Sequence, residues 1–255
     1  MKVVILAGGF GTRLSEETVI KPKPMVEIGG EPVLIHLMKY FSSFGFNEFI
    51  IAVGYKSQYI KEYLFNYLNL QNDLLIDFKE NKLTTLSKKS LDWKVRIIET
   101  GNDTNTGGRL KKVEKFLDDK QFLFTYGDGL SDVNLKELIT QHNKSNAIVT
   151  LTGVRSPARF GVLKLQKEKI IKFSEKETEL NEWINGGFMV MNHKIFNYLH
   201  NSKDSLEFDA LDTIANENKL ACYKHNGFWQ CMDNLKDKML LEKIWESDKK
   251  VPWKK

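Results

Sequence analysis

Apolar residues in the first half of the chain fall into short runs separated by longer segments of helical spacing. The runs at residues 3–6 and 49–53 are apolar throughout, which predicts two strands buried on both faces of a sheet. Further strands are predicted at 74–78, 95–99 and 122–125. Helical spacing predicts intervening helices at 32–44, 57–67 and 109–116. Ser57 is the predicted N-cap of the second helix, and Gly107 and Gly108 precede the third. Strands that alternate with helices imply right-handed crossovers and a largely parallel sheet, so the pattern predicts an α/β fold.

The second half of the chain has a looser pattern. The elements predicted there are a helix at 135–143, a strand at 148–154, a hairpin of 160–165 with 170–175, a strand at 188–191 and an amphipathic helix at 235–245. Residues 79–92 are polar and rich in Lys, and their sequence leaves an interface arm and a mobile lid as alternatives. No linker and no internal repeat is visible, which predicts one domain.

Composition and charge narrow the class of protein. The chain has 255 residues, 42% of them hydrophobic, and no apolar run reaches the roughly 18 residues that a transmembrane helix needs. Its net charge of +5 comes from cations spread along the chain, without the basic stripe and stacking aromatics that favour nucleic-acid binding. Cys222 and Cys231 are too few for a disulfide scaffold and are expected to be buried. We expect a soluble, cytoplasmic protein that binds neither nucleic acid nor membrane.

The strongest chemical signal follows the first strand, in the string LAGGFGTRL at residues 6–14. Glycines directly after a strand let the backbone turn tightly and present consecutive N–H groups to an anion. The string lacks the third glycine of the dinucleotide fingerprint and the Gly-Lys-Ser/Thr ending of a Walker A loop. Arg13, Lys21 and Lys23 place three cations beside the glycines. Cations next to such a loop favour a phosphate-binding site over a plain turn with solvated charges.

Further strings accompany this loop in order along the chain: LSEET at 14–18, KPKPMVEIGG at 21–30, TGGRLK at 106–111, FTYGDG at 124–129, RFG at 159–161, NGGF at 185–188 and GFWQ at 227–230. Together they resemble the sugar-1-phosphate nucleotidyltransferase family and, within it, the glucose-1-phosphate cytidylyltransferases. The resemblance runs from the first residue to the closing Pro252-Trp253-Lys254.

This resemblance implies a Rossmann-like α/β fold of the nucleotide-diphospho-sugar transferase type, with a mixed, mostly parallel sheet flanked by helices and a smaller sugar-binding β lobe. It implies a single nucleotidyltransferase domain at 1–255, with a nucleotide-binding half at about 1–130 and a sugar-binding half with the C-terminal helix at about 131–255. The expected reaction transfers CMP from CTP to α-D-glucose 1-phosphate with the help of Mg²⁺, giving CDP-glucose and pyrophosphate. Members of the family commonly form homo-oligomers, so a homo-oligomer is expected here.

The resemblance also implies roles for single residues. Lys23 matches the catalytic lysine, Arg13 matches the residue that grips the leaving pyrophosphate, and Asp128 and Asp233 match the Mg²⁺ ligands. The positions expected to contact the nucleotide are Leu6, Ala7, Gly8, Gly9, Phe10, Gly11, Thr12, Thr104, Arg109 and Gly127. The positions expected to hold the sugar phosphate are Glu175, Lys176, Asn185 and Gly186.

Simpler interpretations compete with these roles. By itself Asp128 would be a turn aspartate, Asp233 the N-cap of the helix at 235–245, and Trp229 a core residue. The sugar side also departs from the family pattern, because Glu177 stands where proline is usual and Ser156-Pro157-Ala158 replaces a Pro-Pro-Gly-like run. The alternatives are a nucleotidyltransferase with another phosphorylated acceptor or another nucleotide, and a nucleotide-binding regulator without turnover.

Overall fold

The computed structural model describes residues 1–11, 14, 18–86, 91–155, 162–166, 169–174, 183–247 and 249–255. In this part of the chain the strands are β1 (Val3–Ala7), β2 (Glu27–Ile28), β3 (Glu31–Pro32), β4 (Glu48–Val53), β5 (Leu74–Asp77), β6 (Lys82–Thr85), β7 (Lys94–Glu99), β8 (Gln121–Tyr126), β9 (Gly129–Ser131), β10 (Val149–Arg155), β11 (Val162–Gln166), β12 (Lys169–Ser174), β13 (Trp183–Asn192), β14 (Leu220–His225) and β15 (Trp229–Cys231). The α-helices are α1 (Val33–Ser42), α2 (Ser57–Leu70), α3 (Thr106–Val113), α4 (Leu135–Lys144), α5 (Asp212–Asn216) and α6 (Leu235–Trp245), and a π-helical turn spans Leu206–Leu211.

A seven-stranded sheet organises the molecule, in the order β14-β10-β13-β8-β1-β4-β7. Its strands pair in parallel except where β13 lies antiparallel between β8 and β10. The expected mixed, mostly parallel sheet flanked by helices is therefore confirmed. The predicted hairpin of the smaller lobe is present as β11 and β12, which pair antiparallel.

Successive residues of β1 point to opposite faces of the sheet, and both faces are buried. Val3 and Ile5 belong to one core cluster, which α1, α2, α4 and α6 complete, whereas Val4 and Leu6 belong to a second cluster with α3, the π-helical turn and α5. Burial on both faces is the reason that the central strands are apolar throughout instead of alternating.

The direction of the strands decides where polar loops meet. Because β1, β4, β7 and β8 are parallel, the segments that follow them emerge at one edge of the sheet. The antiparallel β13 brings its first residues to the same edge, since Met189 pairs with Phe124 and the residues before Met189 extend past the end of β8.

Most predicted elements are confirmed, with bounds that differ by a few residues at either end. The predicted strands correspond to β1, β4, β5, β7, β8, β10 and β13, and the predicted helices correspond to α1, α2, α3, α4 and α6. The strands β9, β14 and β15 and the segment 193–216 had no prediction, because their runs are too short or too polar to show a period.

Two local predictions are wrong. Gly107 and Gly108 lie inside the first turn of α3, and a Cβ atom on Gly108 would stand 2.3 Å from the carbonyl oxygen of Ser202, so the glycine permits close packing of that segment. Ser57 does not act as a cap, since it is the first residue of α2 and its Oγ donates to Glu99 at 2.5 Å. The polar stretch 79–92, for which the sequence leaves an arm and a lid as alternatives, contributes the strand β6, which pairs with β5.

The two cysteines also differ from expectation. Cys222 is exposed on β14, an edge strand of the sheet, and Cys231 is half-buried on β15. None of the described helices combines the length and the apolar character that crossing a bilayer requires.

Candidate active site

A cleft of about 710 Å³ opens at the carboxyl edge of the sheet; we call it the larger cleft. It collects residues that are far apart in the sequence. The predicted site residues in its wall are Leu6, Ala7, Gly8, Gly9, Phe10, Gly11, Lys23, Thr104, Arg109, Gly127, Asp128 and Asp233. The structure therefore brings the glycine loop, the KPKP lysine and both predicted metal ligands to one place.

A second cavity of about 280 Å³, the smaller cavity, adjoins the larger cleft. The two share Tyr126, Asp128 and Asp233 in their walls. Asn185 and Gly186, predicted for the sugar side, line the smaller cavity, and Trp229 lines it too, with its Nε1 donating to the Gly186 carbonyl oxygen at 2.8 Å. Trp229 is thus a wall of the site as well as a core-packing residue.

Four predicted site residues lie outside the described residues. These are Thr12, Arg13, Glu175 and Lys176. Glu177 and the run 156–158, where the sequence departs from the family pattern, lie outside them too.

An ion cluster stands where the two cavities meet. The Lys23 ammonium donates to Asp128 Oδ2 and to Asp233 Oδ1, each at 2.7 Å. All three side chains are mostly covered, at 13% exposure for Lys23, 30% for Asp128 and 19% for Asp233. Burial by itself would lower the pKa of Lys23, but the two carboxylates outweigh it and hold that pKa above its ordinary value. Lys23 is therefore a cation at neutral pH.

Backbone pairing places the two carboxylates side by side. Asp128 follows β8, and its carbonyl oxygen accepts from the Met232 backbone N–H at 2.8 Å. The short strands β9 and β15 continue this pairing, with Cys231 opposite Gly129. Asp233 is not the cap of α6, because Asn234 is the N-cap and forms a capping box with Asp237. The carboxylate of Asp233 is thus available to face Lys23.

Arg109 serves the structure of the loop that follows β7. Its side chain is 4% exposed, and its guanidinium donates to Thr100 Oγ1 at 2.6 Å, to the Gly101 carbonyl oxygen at 2.7 Å and to the Asn102 carbonyl oxygen at 3.1 Å. Burial lowers its pKa. Thr104 donates to the Thr100 carbonyl oxygen at 2.6 Å. Both residues line the larger cleft, and Arg109 is a buried, hydrogen-bonded cation and not a solvated surface charge.

The remaining lysine of the KPKP run is engaged elsewhere. Lys21 pairs with Glu27 at 3.0 Å, so its charge is already partly neutralised. Lys21 also does not line the larger cleft, whereas Lys23 does.

Sequence reasoning missed several residues of the larger cleft. Ser205, Glu207 and Phe208 reach it from the π-helical turn, which packs against α3, and nothing in their local sequence indicated a site. Tyr126 was missed as well, although it belongs to the FTYGDG string two residues before Asp128 and could have been predicted from it.

Known proteins are similar to this chain in both sequence and fold. Residues 2–245 match the family model described as Nucleotidyl transferase. The chain is 46% identical over 255 residues to the glucose-1-phosphate cytidylyltransferase of Salmonella typhi, covering 100% of this chain and 99% of that protein. It is 41% identical, with the same coverage, to the probable glucose-1-phosphate cytidylyltransferase of Bacillus subtilis (strain 168). The crystal structure of HddC from Yersinia pseudotuberculosis is similar with a TM-score of 0.70 and 25% identity, over 96% of this chain and 99% of that one.

Two adjacent glycines of the first loop should respond differently to alanine. A Cβ atom on Gly8 would stand 2.2 Å from Arg109 Nη1, whereas a Cβ atom on Gly9 would meet nothing within 4 Å. Gly8→Ala should therefore displace the buried guanidinium from its acceptors and lower the free energy of unfolding by about 1–3 kcal/mol. Gly9→Ala should change it by less than about 0.5 kcal/mol. Urea denaturation measures both, and equal losses in the two variants would contradict this description of Arg109.

Proposed function

The chain belongs to the nucleotidyl transferase family, and we propose that it transfers CMP from CTP to α-D-glucose 1-phosphate, releasing CDP-glucose and pyrophosphate. The observation that carries the choice of substrates is the 46% identity over the whole chain to a glucose-1-phosphate cytidylyltransferase. The geometry supports it, because two adjoining cavities with an ion cluster between them suit two phosphorylated reactants.

In the proposed reaction a phosphate oxygen of the sugar phosphate attacks the α-phosphorus of CTP. The bond from that phosphorus to the oxygen bridging to the β-phosphorus breaks, and its electron pair leaves with pyrophosphate. Both reactants are polyanions, so the protein has to align them and neutralise charge. CTP would occupy the larger cleft, with its triphosphate along the glycine loop, and the sugar phosphate would occupy the smaller cavity.

Lys23 is the residue best placed for charge neutralisation. It lies in the larger cleft beside both carboxylates shared by the two cavities, and it carries its proton at neutral pH. We propose that its ammonium contacts the phosphates of both substrates. From the family resemblance we propose that Arg13 holds the leaving pyrophosphate and that Lys176, with Glu175, holds the sugar phosphate.

Asp128 and Asp233 fit the requirements of Mg²⁺. Their carboxylates already converge on one cation, Lys23, and proteins commonly offer this ion one or two carboxylates while phosphate oxygens and water complete its shell. We propose that they hold Mg²⁺, which would neutralise phosphate charge when bound.

The first test is a nucleotide panel. The protein, Mg²⁺ and glucose 1-phosphate are incubated with CTP, UTP, dTTP, ATP or GTP, and pyrophosphate release is measured. We expect release with CTP alone, and CDP-glucose by mass spectrometry. Release with another nucleotide would contradict the choice of CTP. If pyrophosphate is released with another phosphate ester but not with glucose 1-phosphate, the choice of glucose 1-phosphate as acceptor would be contradicted.

Two controls separate the remaining alternatives. Excess EDTA should abolish release, and full activity in EDTA would contradict the metal proposal. Binding of CTP without turnover of any phosphate ester would favour a regulatory nucleotide-binding protein. The chain has two cysteines, too few for the disulfide scaffold of a secreted protein, and we propose that the reaction takes place in the cytoplasm.

We also propose that the protein is a homo-oligomer, from a surface that its own fold leaves uncovered. The hairpin of β5 and β6, which we call the arm, places Leu74, Ile76 and Leu83 on one face, because Ile76 pairs with Leu83. Ile76 is 53% exposed and Leu83 is 49% exposed, and neither belongs to a core cluster. A two-stranded hairpin with an uncovered apolar face is marginally stable in water.

An apolar groove of about 540 Å³ is formed by α2 and β7, the helix and the strand of the main sheet on either side of the arm in the sequence. Its apolar lining consists of Leu64, Phe65, Tyr67, Leu91, Trp93, Val95 and Ile97. Phe65 and Phe78 are 83% and 89% exposed, so these two rings alone leave on the order of 300 Å² in water. A stable interface buries about 800 Å² per partner, and a twofold axis would use arm and groove twice. A second copy of this chain is therefore the proposed partner.

Adjacent residues of the arm provide a matched test. Ile76 and Leu75 are 53% and 55% exposed but lie on opposite faces, and Leu75 shares its face with Asp77, Lys82 and Thr84. Ile76→Asp should lower the oligomeric state or raise its dissociation constant at least 10-fold by analytical ultracentrifugation, while Leu75→Asp should leave it unchanged. A monomeric wild type, or equal behaviour of the two variants, would contradict the proposed interface.

A further inference from the structure

A carboxylate lies in the wall of the larger cleft where a polyanion is expected. Glu207 belongs to the π-helical turn and lines that cleft. A carboxylate without hydrogen-bond donors around it would repel the phosphates of a nucleotide. The position of Glu207 therefore requires an explanation other than contact with phosphate.

Both carboxylate oxygens of Glu207 accept hydrogen bonds from hydroxyl groups. Oε2 accepts from Thr106 Oγ1 at 2.6 Å and from Ser205 Oγ at 2.8 Å, and Oε1 accepts from the Tyr126 hydroxyl. Burial by itself would raise the pKa of Glu207, but these hydrogen bonds outweigh it and hold the pKa below its ordinary value. Glu207 is therefore ionised, and its carboxylate is stabilised by hydrogen bonds from neighbouring side chains of the protein.

Tyr126 carries this contact to the other cavity. It is the last residue of β8 and lines both the larger cleft and the smaller cavity. Burial, followed by the charge of Glu207, raises the pKa of its phenol. The hydroxyl therefore keeps its proton and donates a hydrogen bond to the carboxylate. Its ring packs against Gly187, since a Cβ atom on Gly187 would stand 2.9 Å from Tyr126 Cδ2.

Asn185 completes the path on the acceptor side. Its Oδ1 accepts at 2.9 Å from the backbone N–H of Gly187, the residue against which the Tyr126 ring packs. The side chain lines the smaller cavity, beside Gly186 and Trp229. A chain of contacts therefore runs from α3, through Glu207 and Tyr126, to Gly187 and Asn185 in the wall of the smaller cavity.

We propose that Glu207 and Tyr126 are positioning residues that fix Asn185 and the wall of the smaller cavity for the sugar phosphate. This inference rests on the proposed function. Glu207 acts through Tyr126, because its remaining bonds stay on the side of α3 and the π-helical turn. The path crosses from one substrate cavity to the other, and its effect falls on the acceptor, because Gly187 and Asn185 at its far end line the smaller cavity and not the larger cleft.

The test compares Tyr126→Phe, Glu207→Gln and the double variant in steady-state kinetics with CTP and glucose 1-phosphate. Tyr126→Phe deletes the hydroxyl and keeps the ring. We expect it to raise the KM for glucose 1-phosphate about 10-fold, as loss of one well-placed hydrogen bond does, while the KM for CTP changes less than about twofold. Glu207→Gln should raise the same KM, and the double variant should be no worse than Tyr126→Phe, because both act on one path.

A matched control exists on the surface. Tyr198 donates to Glu217 at 2.7 Å, an exposed pair of the same chemistry that lines neither cavity. Tyr198→Phe should leave both KM values unchanged. Parallel changes in both KM values of Tyr126→Phe, an unchanged KM for the sugar phosphate, or additive effects in the double variant would each overturn the inference. A wild type that is silent with CTP and glucose 1-phosphate would instead overturn the proposed function, and this inference with it.

Discussion

The ammonium of Lys23 between two carboxylates is the interaction on which the site depends. Its partners Asp128 and Asp233 are 105 and 210 residues away in the sequence, so the cluster forms only when both halves of the chain have folded. Two carboxylates facing one another without a cation would repel, and one ammonium between them removes that repulsion. The same three groups stand where the larger cleft meets the smaller cavity. They are therefore both a structural link between the two halves of the chain and the charged centre between the two proposed substrate cavities.

The sheet explains why these groups meet. Parallel strands β1, β4, β7 and β8 end at one edge, and β1, β7 and β8 are each followed there by a loop of the site. The antiparallel β13 adds the wall of the smaller cavity, and the short β15 pairs with β9 to deliver Asp233. The buried Arg109 then holds the loop after β7 by three hydrogen bonds. The charged side chains thus meet only because backbone pairing positions the loops that carry them.

Much of this arrangement could be predicted from the sequence, for reasons of period and spacing. Apolar runs marked the buried strands, and the glycines after β1, together with Lys23, indicated phosphate chemistry. What the pattern could not give depends on contacts between distant segments. Gly108 accommodates the backbone of Ser202, Asn234 takes the capping role open to Asp233, and Glu207 reaches the cleft from a π-helical turn. The family resemblance supplied the roles of Asp233 and Asn185, which their local sequence alone would not have suggested.

The most direct measurement of the central claim is the unfolding free energy of Lys23→Met, alone and combined with Asp128→Asn, in metal-free buffer. If Lys23 neutralises both carboxylates, Lys23→Met should lose about 2 kcal/mol, less than a fully buried pair because Asp128 is 30% exposed. Adding Asp128→Asn removes one of the facing charges and should restore part of that loss. A Lys23→Met protein within about 0.5 kcal/mol of the wild type, or a double variant less stable than Lys23→Met, would contradict the account.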